Sequence, residues 1–205
     1  MQPRADVLKR NTWSEFCGRS GISCTRFAAH WNAGAQRWEA ASGAVFNLAS
    51  NARRPEGWTS ADAAGLAIFP GLVRYEEAYG SAEITHAFRV TTRATNGYVW
   101  PASHRAGSNT SAPPLGARLR LKASKNIATF TPEVQRMFRA MKGYGLIVAD
   151  NGSDMYISGT MDGRWNNDVL NPAFSALTAD DFEVIQLGWQ PATAPAAPTN
   201  LRLIR

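Results

Sequence analysis

Apolar and polar positions fall into regular order only from Trp38 onward. "GAVFNLAS" reads as a short strand, and "NARRPEG" reads as a loop through its Asn, Pro and Gly. In "WTSADAAGL", Thr59 or Ser60 can cap one helical turn that places Asp62 near its positive end, and Gly65 stops it. "GLVRYEEAY" and "AEITHAFRVTT" flank Gly80-Ser81 and predict an antiparallel pair. Strict alternation in the second member puts Ile84, His86, Phe88 and Val90 on one face.

Downstream, "GYVWP" predicts a strand ending at Pro101, and "SHRAGSNTSAPPLG" a long polar loop. "ARLRLKAS" alternates again, with Leu119 and Leu121 inward and Arg118, Arg120 and Lys122 toward solvent. The period then changes. Thr131 is a natural N-cap, Pro132 suits the first helical position, and Val134, Met137, Phe138 and Met141 form one stripe, which predicts a helix over about 131–142. "YGLIVA" and "MYIS" are strands joined by "DNGSD", and "DDFEVIQLGW" is the last strand.

This order of elements predicts a mostly β fold, an antiparallel sandwich or jelly roll with one flanking α-helix. Residues 1–37 show no sustained period, residues 38–190 make the β-rich domain, and residues 191–205 read as a Pro/Ala linker. A chain of 205 residues, 44% hydrophobic and 19% charged, supports one principal core. Its longest apolar run, "GLAIFPGLV", is broken by Pro70 and Gly71 and falls short of the roughly 18 residues of a membrane span.

The net charge of +6 invites a nucleic-acid partner, but the charges are segregated. Arginines and lysines crowd residues 61–142, whereas residues 143–190 carry Arg164 against a series of aspartates. Many of the basic residues alternate along strands, which is the pattern of a solvated face, so nucleic acid is disfavoured. Cys17 and Cys24, separated by six residues, lack the paired spacing of a zinc site and are open to either a small disulfide or two free thiols. Glycine-rich phosphate loops and a Gly-x-Ser-x-Gly elbow are missing from the sequence, so no nucleotide cofactor is expected.

Taken together, "SGAVFNLASNARRPEGWTSADAAGLAIFPGLVRYEEA", "EITHAFRVTT", "YVWPASH", "ARLRLKAS" and "MKGYGLIVADNGSDMYISGTMDGRWNND" resemble a family of largely uncharacterised secreted bacterial proteins. These are often joined to fibronectin type III or carbohydrate-binding modules. The resemblance covers about Trp38 to Leu187 and implies export and a β-rich fold, without supplying an activity. It also makes "APAAPTNLRLIR" look like a linker followed by the start of a fibronectin type III domain. Residues 1 to about 27 do not match the family pattern and lack the apolar region of a signal peptide, the expectation for a truncated or frame-shifted beginning.

Candidate chemistry centres on few residues. His86 is one of 3 histidines and faces the strand that carries Glu77, an arrangement in which a carboxylate orients an imidazole to activate water, although a lone His on an apolar face also reads as core. His104 opens the long polar loop, where substrate clefts are rimmed, and also reads as an exposed loop residue. Tyr75, Trp100 and Trp165 offer flat surfaces for a sugar ring or acyl chain. Asp150 and Asp154, in "VADNGSDMYIS", are hard oxygen donors suited to Ca2+, but the spacing is not that of an EF-hand and Asn-Gly is first a hairpin signal. The expectation is a secreted hydrolase using His86 or His104 with Glu77 or Asp150 on a glycosidic bond or a small ester or lactone, such as an acyl-homoserine lactone. Calcium is a candidate aid, and the substrate is a small molecule or polysaccharide. The alternative is a non-catalytic carbohydrate-binding module.

Overall fold

A computed structural model of the chain describes residues 13–17 and 22–190. The linker and fibronectin-like start expected over 191–205, the side chains of Cys17 and Cys24, and residues 1–12 and 18–21 of the expected irregular beginning lie outside the described residues. β1 (Trp13–Cys17), β2 (Ile22–Phe27) and β5 (Ser42–Asn47) form an antiparallel sheet in the order β1-β2-β5. Between β2 and β5, β3 (His30–Asn32) and β4 (Arg37–Glu39) make a separate hairpin that pairs Trp31 with Trp38.

The principal sheet contains β6 (Phe88–Thr92), β7 (Arg118–Leu121), β8 (Leu146–Asn151), β9 (Tyr156–Ile157) and β10 (Phe182–Val184), in the order β10-β7-β8-β6-β9. β6 and β8 are parallel, and the other pairs are antiparallel. With three α-helices beside these sheets among the described residues, the fold is mixed α/β. In the apolar run "LIV", Leu146 and Val148 share one face of β8 and are fully buried, whereas Ile147 on the other face is half-buried.

The expected hairpin across "DNGSD" is not a hairpin. β8 and β9 flank β6 on opposite sides, Val90 being paired with both Val148 and Ile157, so the turn carries the chain over the end of β6. Gly152 makes this crossing close: its N–H donates to the Thr92 carbonyl at 2.8 Å, and a Cβ there would lie 3.1 Å from the Thr91 side chain. The β6–β8 register shifts between Val90 and Thr91, which passes over Ala149. The Ala149 carbonyl instead accepts the Ala64 N–H at 2.9 Å, tying the Asp62 turn to the sheet.

The expected helix is α2 (Pro132–Gly143), with Val134, Met137, Phe138, Ala140 and Met141 buried; Thr131 occupies the cap position, though its hydroxyl makes no capping bond. The expected strand "GLVRYEEAY" is a correction, since Tyr75–Tyr79 is a helix, here α1. Tyr75, Ala78 and Tyr79 fit positions i, i+3 and i+4 as well as they fit alternation, and short runs allow either. Stacking of Tyr75 on Tyr79 at 4.4 Å and two glutamates in the first turn decide for the helix. α3 (Asn167–Ser175) has no counterpart among the sequence expectations and carries Pro172 within it. Asn166 caps it by accepting the N–H groups of Asp168 and Val169. "GYVWP" is also not a strand: Tyr98 makes an isolated bridge to Leu115, and the Trp100–Pro101 peptide is cis.

Candidate functional site

An open cleft of about 860 Å³ lies between the segment following β5, the Asp62–Arg74 stretch, the entry to β6, and the Trp100–Pro101 turn. A cleft of this volume is ample for a small ligand or a few sugar units. Glu77 and His86 both line it, so the structure brings together the two residues the sequence paired, although Glu77 sits on a helix and His86 precedes β6.

His86 Nε2 is 3.1 Å from Glu77 Oε2, and His86 Nδ1 is 3.0 Å from its neighbour's carbonyl, Ala87 O. Glu77 Oε2 also accepts the Arg74 N–H at 3.2 Å, and Oε1 accepts the Arg74 guanidinium. Both ring nitrogens thus face acceptors. Each ring nitrogen is therefore already engaged by a neighbouring oxygen. Arg74 in turn lies over the Phe69 ring at 5.5 Å, so α1 starts on a bonded cluster of Arg74, Glu77 and His86.

Deeper in the wall, Asp62 is buried and held by Arg89 through two bonds, and Arg89 Nη1 donates to Ser158 Oγ at 2.7 Å. Burial pushes the Asp62 carboxyl up against the pull of Arg89. For Arg89, burial works to lower the guanidinium, but Asp62 and then Asp150 outweigh it and leave it raised. Arg118 also lines the cleft, half-buried, and burial holds it below the usual arginine range. Its Nη1 donates to Tyr144 O at 3.0 Å. Arg118 and Arg120 share one face of β7: Arg120 pairs with Glu183 at the surface, while Arg118, half-buried, lines the open cleft.

Aromatic rings complete the walls. Trp100 and Trp189 meet edge to face at 6.0 Å, both line the cleft, and Trp189 is 54% exposed. Tyr75 and Trp165 are brought together at 5.3 Å but lie outside the cleft, in the packing around α1, with Trp165 Nε1 donating to Thr160 O at 2.8 Å. His104 also lies outside it, with Nδ1 3.0 Å from Ala63 O. Asp150 and Asp154 diverge: Asp150 Oδ2 lies 4.0 Å from Arg89, whereas Asp154 accepts the Arg93 N–H at 2.6 Å and its guanidinium at 2.9 Å. Among the described residues, no group of three or more His, Cys, Asp or Glu is placed to hold a metal ion, and no helix is long and apolar enough to cross a membrane.

The sequence did not single out Arg54, Arg118, Trp189 or the Asp62–Arg89 pair. Two of these carried a signal: consecutive Arg53-Arg54 in a loop, and an arginine alternating with leucines. Both match a solvated surface equally well. No family model matches the chain, and neither a curated protein nor a solved structure matches it.

Proposed function

We propose that the chain is an extracellular carbohydrate-binding protein and that the cleft is its binding site. The observation that supports this best is the Trp100–Trp189 pair, placed on the wall of an open cleft with Trp189 left largely exposed. Indole faces bury the apolar faces of a pyranose while their edges remain available to polar partners. The extracellular setting follows from the family resemblance. Neither an antiparallel sandwich nor a jelly-roll arrangement is needed for this reading. Titration of tryptophan fluorescence with an oligosaccharide panel tests it. Saturable quenching that disappears in both Trp100→Ala and Trp189→Ala supports the reading, and a flat response across the panel overturns it.

Hydrolysis of a glycoside, ester or lactone is the second reading, favoured by the 3.1 Å contact between His86 and Glu77 in the cleft. It is the weaker one because water activation needs a free ring nitrogen, and Nδ1 has first to leave Ala87 O. Calcium, if it assists, has to draw Asp154 from Arg93. Turnover of a glycan or lactone panel that is lost in His86→Ala would establish this reading over binding alone.

A further inference from the structure

The lining of the cleft is unbalanced in charge. Five arginines, Arg53, Arg54, Arg74, Arg89 and Arg118, face it against two carboxylates, Asp62 and Glu77. Three of the five are already engaged: Arg53 with Glu56, Arg74 with Glu77 and Arg89 with Asp62. Arg54 and Arg118 form no ion pair among the described residues.

Their surroundings are those of cations held ready rather than solvated. Arg54 Nε is buried without a hydrogen-bond partner, and its guanidinium lies 5.3 Å from the Trp58 ring centroid and 5.9 Å from that of Phe46. Ring faces fix a guanidinium plane without using its N–H groups. Arg118 is half-buried, is bonded to a backbone carbonyl, and shares a small side recess with Trp100 and Trp189. Burial of a cation without a counter-charge is costly, and a ligand anion removes that cost.

We infer that the ligand is an acidic saccharide, an oligosaccharide of uronate units. Its sugar rings lie against Trp100 and Trp189, and its carboxylates are taken by Arg54 and Arg118. The guanidinium fork matches a planar carboxylate with two parallel bonds, which favours a uronate over a neutral sugar. This rests on the carbohydrate-binding reading and narrows it.

The test uses the full chain, titrated calorimetrically with an oligogalacturonate and with the methyl ester of the same oligomer, which keeps the rings and removes the charge. The acid should bind at least about tenfold more tightly than the ester, with an affinity that falls as salt rises. Arg54→Gln and Arg118→Gln should each reduce binding of the acid about tenfold and reduce binding of the ester by a clearly smaller factor. Arg54→Lys, which keeps the charge and loses the fork, should fall between, and circular dichroism establishes that each variant is folded. Equal binding of acid and ester overturns the inference while carbohydrate binding stands. Binding of neither, when neutral oligosaccharides do bind, also overturns the inference alone; no binding of any oligosaccharide overturns both.

Discussion

Arg89 grips Asp62 by two parallel hydrogen bonds, Nε to Oδ2 at 3.2 Å and Nη2 to Oδ1 at 2.6 Å, where the Asp62 side chain is 1% exposed. Through Ser158 the same guanidinium also reaches the residue following β9, so one side chain ties the Asp62 turn, β6 and β9 together. Removing one partner of such a pair leaves a buried charge uncompensated. Asp62→Ala should lower the unfolding free energy by about 3–5 kcal/mol in urea denaturation, whereas the double replacement Asp62→Leu with Arg89→Met should recover most of that loss. A double variant no more stable than the single one would show that the pair does more than neutralise its own burial.

The Glu77 cluster predicts a different division between stability and binding. Glu77→Ala takes away the acceptor of the Arg74 N–H, the ion pair with Arg74 and the His86 contact, together with a negative charge in the first turn of α1. A loss of about 1–3 kcal/mol in stability is expected. If Glu77 and His86 serve mainly to build the wall, His86→Asn should retain most ligand affinity in calorimetry. A complete loss of binding in a folded His86→Asn protein would place the ring on the ligand.

How much of this was legible depends on the range of the interaction that decided each element. α2 was readable because Pro132 and the Val134, Met137, Phe138, Met141 stripe are local signals that agree with packing. α1 was not, because the contacts that make it helical, Tyr75 on Tyr79 and Arg74 on Glu77, occur only after a helix is assumed. The β8–β9 turn departs from the hairpin expectation for a non-local reason: Asn151-Gly152 has hairpin chemistry, but β6 arrives from some sixty residues earlier and inserts between the two strands. At the site, proximity of His86 and Glu77 was readable from neighbouring segments. The saturation of both ring nitrogens depends on backbone geometry that composition does not carry.

That insertion is testable at Gly152. An alanine Cβ would stand 3.1 Å from Thr91 Cβ and Oγ1 and 3.3 Å from its Cγ2, with Thr91 Oγ1 already donating to Ser153 O at 2.7 Å. Gly152→Ala should therefore destabilise the protein by about 1–2 kcal/mol, and the additional change Thr91→Ala should relieve part of that cost. Additive losses in thermal or urea unfolding would mean that the two positions do not interact through this contact.

At the surface, Arg164 pairs with Asp162 and with Glu76, each at 2.5 Å, and its guanidinium lies 4.0 Å from the centre of the Tyr75 ring. Arg164 side-chain hydrogen bonds, helped by its backbone N–H, lower the Asp162 carboxyl from 3.8 to about 2, and the same bonds hold the guanidinium raised. A carboxyl depressed on folding binds its proton more readily in the unfolded chain, so its contribution is present above the unfolded value near 3.8 and fades as pH falls through about 2. The melting temperature of the wild type should accordingly exceed that of Asp162→Asn at pH 5 by a small margin, which salt reduces because the pair is exposed. The two curves should converge between pH 4 and about 2. A gap that stays constant through this range would assign the effect of Asn to the lost turn geometry around Arg164 rather than to the charge.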